Sequence, residues 1–210
     1  MARRGPYAKG IARREQILDA ALSVIAERGF GRTSVADLAE ASGLSQPGLL
    51  HHFGCKEELF TELVRRRDEV TATGLRPGED LVGFFLRTVA DNARVPGLVE
   101  LYTRLSAEAT DPDHAAHGFF TERYAEARGL LGGLLEDLRE QGELPAYVDP
   151  AATAAALLAL ADGLQVQWLL DPDLDMAGVL DATWRAIRGP RSPSPDPTNS
   201  PCNAGSSSLE

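Results

Sequence analysis

Between positions 33 and 56 the chain concentrates polar groups at helical spacing: Thr33, Ser34, Ser45, Gln46, Pro47, Gly48, His51, His52 and Lys56. Their chemistry is that of recognition rather than bond breaking. A glutamine carboxamide can give paired hydrogen bonds to an adenine edge. Hydroxyls, backbone N–H groups at helix starts and a cation hold phosphate oxygens. Imidazoles at His51 and His52 can touch base edges or phosphate, and protonation strengthens the phosphate contact. Gly48 lets a backbone come close to its target. No Ser/His/Asp spacing, Gly-rich phosphate loop or pair of catalytic carboxylates is present, so an enzyme is not expected. Asp111, Asp113, His114 and His117 have helical i, i+3 spacing but lack an obvious further ligand. Helix capping explains the acids more simply. Neither metal nor cofactor is therefore expected. Cys55, a thiol beside Lys56, reads as a small tolerated residue rather than a redox switch.

These groups need two short helices to hold them. Ser34 is a good N-cap, and Ser34-x-x-Asp37 is a capping-box variant. Val35, Leu38 and Ala39 fall at i, i+3 and i+4, one buried face. Gly43 sits where a left-handed turn is needed. Ser45 caps a second helix with Pro47 in its first turn. Leu49, Leu50 and Phe53 form its inward face, which leaves Gln46, Gly48, His51 and His52 outside. Residues 34–53 thus predict a helix-turn-helix.

Further helices are predicted around this unit. One spans 11–28, with Ile17, Ala21, Leu22 and Ile25 on one side. Another spans 56–70, with Leu59, Phe60, Leu63 and Val64 inward. Beyond a break at Thr73-Gly74-Leu75-Arg76-Pro77-Gly78, helical patterns cover 79–94, 97–109, 113–141, 150–170 and 174–188. The 150–170 segment is apolar around most of its circumference, so it needs cover on several sides, and a second subunit is a natural one. The expected organisation is a basic arm (1–10), a DNA-binding helix-turn-helix domain (11–55), a connecting helix (56–72), a helical domain (73–188), to which the resemblance given below adds ligand binding and dimerisation, and a disordered Pro/Ser-rich tail (189–210). Strand signals are nearly absent, so the fold class is all-α.

The net charge of −10 is unevenly spread. Residues 1–67 hold 11 Lys/Arg against 8 Asp/Glu, and residues 68–210 hold 10 against 23. A basic N-terminal third on an acidic body suits one small domain touching phosphate. Arg3, Arg4 and Lys9 in the arm can reach a minor groove or add non-specific attraction. Two cysteines give no disulfide framework, as in a reducing cytoplasm. The N-terminus lacks the apolar segment of a signal peptide. The longest uninterrupted apolar run, 154–161, falls short of the roughly 18–20 residues of a membrane span.

The pattern Phe30-Gly31-Arg32-Thr33-Ser34-Val35-Ala36-Asp37-Leu38-Ala39, then Ala41-Ser42-Gly43-Leu44-Ser45, Leu49, His52-Phe53 and Lys56-Glu57-Glu58-Leu59, resembles the DNA-binding domain of the tetracycline-repressor (TetR) family. Order and spacing match over residues 11–65 without gaps. Ala161-Asp162-Gly163-Leu164-Gln165, with Trp168-Leu169-Leu170-Asp171-Pro172, resembles the dimerisation helix of some members. The resemblance implies a helical homodimer whose N-terminal helices bind a palindromic operator on double-stranded DNA. It also implies C-terminal helices that bind a small apolar or amphipathic effector and release the DNA. Three positions depart from the family pattern: Leu50 replaces a Tyr, Cys55 a capping Ser, Asn or Asp, and Gly48 a Thr. The aromatic residues Phe84, Phe85, Tyr102, Phe120 and Tyr124 are the candidates for the effector pocket. Leu157, Leu164, Trp168 and Trp184 are the candidates for the dimer interface, with the core as the other reading of the two tryptophans. Two alternatives stay open: a DNA-binding regulator without an effector, and a helical protein–protein adaptor.

Overall fold

The computed structural model describes residues 6–76 and 81–189. Among them lie nine α-helices, one 3-10 turn and no strand. The helices are α1 (Pro6–Arg28), α2 (Val35–Ala41), α3 (Gln46–Phe53), α4 (Lys56–Ala72), α5 (Leu81–Asn92), α6 (Pro96–Glu108), α7 (His117–Glu140), α8 (Pro150–Leu170) and α9 (Met176–Arg188). The 3-10 turn, Phe30–Arg32, joins α1 to α2.

Two helix starts differ from expectation. α1 begins at Pro6, so 6–10 are helical rather than part of a loose arm. A proline in the first turn loses no intrahelical donor and is preset for helix. Arg3, Arg4 and the tail beyond Gly189 lie outside the described residues, as does the side chain of Lys9. α7 begins at His117 rather than 113. The residues before it turn tightly: Asp111 accepts from the backbone N–H of Asp113 (3.0 Å), and the Nδ1 of His117 donates to the Ala109 carbonyl (2.9 Å). Asp111 thus closes a turn and does not cap α7, whose N-cap, Ala116, carries no side-chain hydrogen bond. Among the described residues no group of three or more His, Cys, Asp or Glu side chains that could hold a metal occurs.

The apolar stripes meet in two cores. The first joins Ile17, Ala21 and Ile25 of α1 with Leu38, Leu49, Phe53, Leu59, Leu63 and Val64, and continues into Leu101, Leu105 and Phe120. The second joins Val89 and Val99 with Leu131, Leu135, Leu157, Leu164, Trp168, Leu180 and Trp184. Fully burying one such aliphatic side chain contributes about 1.5–3 kcal/mol. α6 is the shared wall, because Val99 faces the second core and Leu101 the first. At its start Gly97 is pressed against α1, where a Cβ would collide with the Ile25 carbonyl oxygen and the Gly29 backbone.

α8 packs on α6, α7 and α9. By length and composition it is long and apolar enough to cross a membrane, although no uninterrupted run in it is. Asp162 interrupts it, the one charged residue of its sequence.

Candidate nucleic-acid interface

α2 and α3 are held by the local chemistry their sequence carries. Ser34 Oγ accepts from the Asp37 N–H (3.2 Å), while Asp37 Oδ2 accepts from the Ser34 N–H (2.8 Å), which completes the capping box. The Ser34 hydroxyl also donates to that carboxylate at 2.5 Å and holds the Asp37 carboxyl below its ordinary pKa. Gly43 turns the chain at φ 68°. Ser45 Oγ accepts from the Gly48 N–H (3.2 Å). The departure at Cys55 leaves the capping role intact: its Sγ accepts from the Glu58 N–H at 3.4 Å, and α4 starts there.

The exposed side of this unit brings the expected residues together. Thr33, Ser34, Gln46 and Lys56 line one shallow depression of about 380 Å³. Ser45, Gln46 and Pro47 are exposed at the start of α3, and His51 and His52 at its end. Gly48 is partly buried, and a Cβ there would sit 3.1 Å from Ser45 Oγ, so a larger residue would crowd the cap. The hydroxyls are not equivalent. Thr33 Oγ1 donates to the Gly29 carbonyl (2.7 Å), and Ser34 donates to Asp37. Ser45, which only accepts here, keeps its O–H for an outside acceptor.

Positioning groups that the sequence did not single out come from the first helix and from α6. Arg13 donates to the Ser42 carbonyl at the end of α2 (2.8 Å). Arg14 donates to the His52 carbonyl at the end of α3 (2.6 Å), lies 4.4 Å over the Phe53 ring and pairs with Glu62. Both guanidiniums meet the negative ends of short helices, where a cation is favoured. Arg104, on the rim of the depression, pairs with Glu100 (2.6 Å), which also accepts from the Gly31 N–H (3.0 Å). An Arg pair one turn ahead of the core stripe was the available signal.

Behind this surface a polar chain crosses four helices. Asp68 of α4 takes both arms of the Arg123 guanidinium of α7 (2.6 and 3.2 Å). Arg123 donates to Tyr102 of α6 (3.2 Å), which donates to Asp162 of α8 (3.0 Å). Tyr124 donates to the other Asp162 oxygen (2.6 Å). Burial, and then the bond to Asp162, pushes the Tyr124 phenol up to about 12. Burial likewise pushes Tyr102 up. Burial works against the Arg123 charge, but the bonds to Asp68 outweigh it and its pKa rises.

These contacts correct the aromatic pocket. Tyr102 and Phe120 are buried in the first core, with Tyr124 packed against it and both phenols occupied by Asp162. Phe85 packs on the second core, and the Arg87 guanidinium lies 5.4 Å from the Phe84 ring. The five rings therefore do not surround one space. A cleft of about 560 Å³ opens instead between α1, α4, α5 and α6. Leu22, Ala26, Val70, Val95 and Leu98 give it apolar walls, and Arg67, Thr88 and Asn92 contribute polar groups. The dimer candidates are corrected too. Leu157, Leu164, Trp168 and Trp184 are at most 7% exposed within their own chain, so they have no surface left for a partner. The free side of α8 is Ala152, Ala155, Ala156, Ala159, Val166 and Leu170.

Residues 17–63 match the family model described as bacterial regulatory proteins, tetR family, and residues 77–188 match that of the BetI-type transcriptional repressor, C-terminal. The HTH-type transcriptional repressor KstR2 of Rhodococcus jostii is 33% identical over 153 residues, 65% of this chain and 70% of that one. The HTH-type transcriptional repressor Rv1474c of Mycobacterium tuberculosis is 32% identical over 186 residues, 84% of this chain and 94% of that one. Among solved structures, a TetR-family regulator from Rhodococcus sp. superposes with a TM-score of 0.68 at 22% identity, covering 85% of this chain and all of that one. A regulator from Saccharomonospora viridis in complex with choline superposes with a TM-score of 0.64 at 23% identity, covering 82% and 95%. The all-helical fold, the reading-head geometry and these matches agree: the chain belongs to the TetR family of DNA-binding transcriptional regulators.

Proposed function

We propose that the protein is a cytoplasmic repressor that binds a palindromic operator as a homodimer and is released by a small amphipathic effector. One observation carries this reading. α4 runs unbroken from Lys56, at the DNA-facing depression, to Arg67 at the cleft and Asp68 in the polar chain. A ligand that prefers one position of α4 therefore biases the recognition helix through a single rigid element, and the coupling is reciprocal.

Gln46 reads a base edge. Ser45, His51, His52, Lys56 and the backbone near Thr33 and Ser34 meet phosphate and base edges, and Pro47 and Gly48 shape the approach. Two such heads sit about 34–36 Å apart on successive turns of DNA. The second copy covers the small-residue stripe of α8 together with Val179, Ala182 and Ala186 of α9. All of these are exposed in a single chain, and small side chains let the helices approach closely.

The test is selection of bound fragments from the source genome, followed by gel shifts with the recovered site. Recovery of a palindrome whose complex dissociates on adding cell extract supports the reading. Absence of an enriched palindrome removes the operator assignment, and a complex indifferent to every extract removes the effector.

A further inference from the structure

The cleft between α1, α4, α5 and α6 contains an uneven set of charges. Asp19 is taken by Arg66 in a two-pronged pair (2.8 and 3.0 Å). Asp91 lies between Arg87 (3.6 Å) and Arg94 (3.3 Å). Arg67 has no such counter-ion among the described residues. Its guanidinium donates to the Asn92 carboxamide oxygen in a short bond, and its neighbour Asp68 is already held by Arg123. A desolvated guanidinium stays charged, and a buried charge without a counter-ion is costly. Desolvation, the largest influence on it, pulls the Arg67 pKa down. On the facing helix the Thr88 hydroxyl also lines the cleft, and its buried oxygen has no hydrogen-bond partner. An uncompensated cation, a carboxamide and an orphan hydroxyl thus border apolar walls, in a volume typical of small-molecule sites, about 300–1,000 Å³.

We propose that this cleft takes an amphipathic monoanion, a carboxylate on a hydrocarbon body, with Arg67 as its anchor and Asn92 and Thr88 as flanking hydrogen-bonding groups. The inference deepens the effector reading above and rests on it. The fork of Arg67 matches the two oxygens of a carboxylate, and such pairs are about twice as strong as neutral hydrogen bonds. One guanidinium that lacks a paired carboxylate among the described residues suits one negative charge. The apolar walls from Leu22 to Leu98 take the hydrocarbon. A quaternary ammonium such as choline, seen in the Saccharomonospora viridis relative, would need the face of an aromatic ring, and none of the residues lining this cleft is aromatic.

The experiment is calorimetric titration of the full chain, without DNA, with hexanoate, decanoate and tetradecanoate, against decanol and decyltrimethylammonium. At least one carboxylate binds, and the two controls bind weakly or not at all. Arg67→Met weakens the best carboxylate by at least about tenfold and leaves decanol unchanged, while Arg67→Lys, which keeps the charge but loses the fork, falls between. Circular dichroism checks that each variant is folded. If Arg67→Met loses helix, Arg67→Lys and Asn92→Ala carry the comparison. The proposal is overturned if no carboxylate binds, if the ammonium binds equally well, or if the folded variants keep full carboxylate affinity. Operator release by cell extract alongside any of these results would leave the effector reading standing and remove the anion alone.

Discussion

The two cores solve opposite problems. In the first, the apolar faces of α1 to α4 cover one another, and polar groups around them are spent on local caps: Ser34 on Asp37, Ser45 on Gly48, Cys55 on Glu58. Ser45, Gln46, His51 and His52 of this region stay exposed. In the second, α8 carries more apolar surface than one chain can cover, with Val166 at 45% and Leu170 at 84% exposure, and its single charge is satisfied by residues from α6 and α7. The first region is thus built to present chemistry, and the second to be covered and to pass force along.

The sharpest test of that contrast asks whether the cores melt separately. Both tryptophans, Trp168 and Trp184, lie in the second core, while Leu63 is fully buried in the first. Leu63→Ala should cost about 3–4 kcal/mol. Tryptophan fluorescence and helical circular dichroism should shift to the same lower denaturant midpoint, because Leu101 and Leu105 tie α6 into the damaged core. A fluorescence transition that stays in place would split the molecule into independent halves.

Next in size is the exposed stripe of α8. Ala159→Glu places a charge in the middle of the small-residue face without touching the chain's own core. The dimer constant from analytical ultracentrifugation should weaken about a hundredfold, near 3 kcal/mol, with the monomer still helical. An unaltered dimer would move the interface elsewhere. On the reading side, Gln46→Ala should relax specificity at one base position per half-site by about 2 kcal/mol, measured across operator variants. A uniform loss on all sequences would instead make Gln46 a backbone contact.

The smallest effect concerns pH. The Tyr124 phenol is raised from 10.0 to about 12 by folding. Its stabilisation is therefore complete below the unfolded value and is lost as pH climbs through the folded one. Because the side chain is only partly buried, solvent screening reduces this to about 1 kcal/mol between those limits. Tyr124→Phe should flatten that part of the alkaline stability curve, and an unchanged slope would remove Tyr124 as its source.

The same contrast explains what could be read from the residues alone. The Ser34–Asp37 box, the Gly43 turn and the stripe Leu59, Leu63, Val64 follow rules spanning a few residues, and all stand in the structure. The partners of Asp162 do not follow from such rules. A lone charge in an apolar helix demands hydrogen bonds, yet only the packing of α6 and α7 makes them phenols. The aromatic pocket failed for the same reason. Phe85 and Phe120 have the same side chain, but periodicity cannot tell which of two cores a ring enters. Trp168 and Trp184 suit either a core or a dimer interface by type alone, and the structure puts both rings in the second core while Ala152, Ala155, Ala156 and Ala159 stay outside. Arg67 carried no sequence signal beyond its place in a run of three arginines. Only its neighbours show which of the three lacks a counter-ion among the described residues.

The glycine at the start of α6 has a mechanical consequence. At Gly97 backbone rests on backbone, with no side chain between to yield, so the contact acts as a fulcrum and α6 as a lever. Arg104 lies seven residues along it, about 10 Å at 1.5 Å per residue. A pivot of about 10° at Gly97 would swing its Cα by about 2 Å, enough to shift the guanidinium along the rim of the depression lined by Thr33, Ser34, Gln46 and Lys56. A small rotation at one incompressible point would thus be magnified at Arg104, at a distance set by the helix rise.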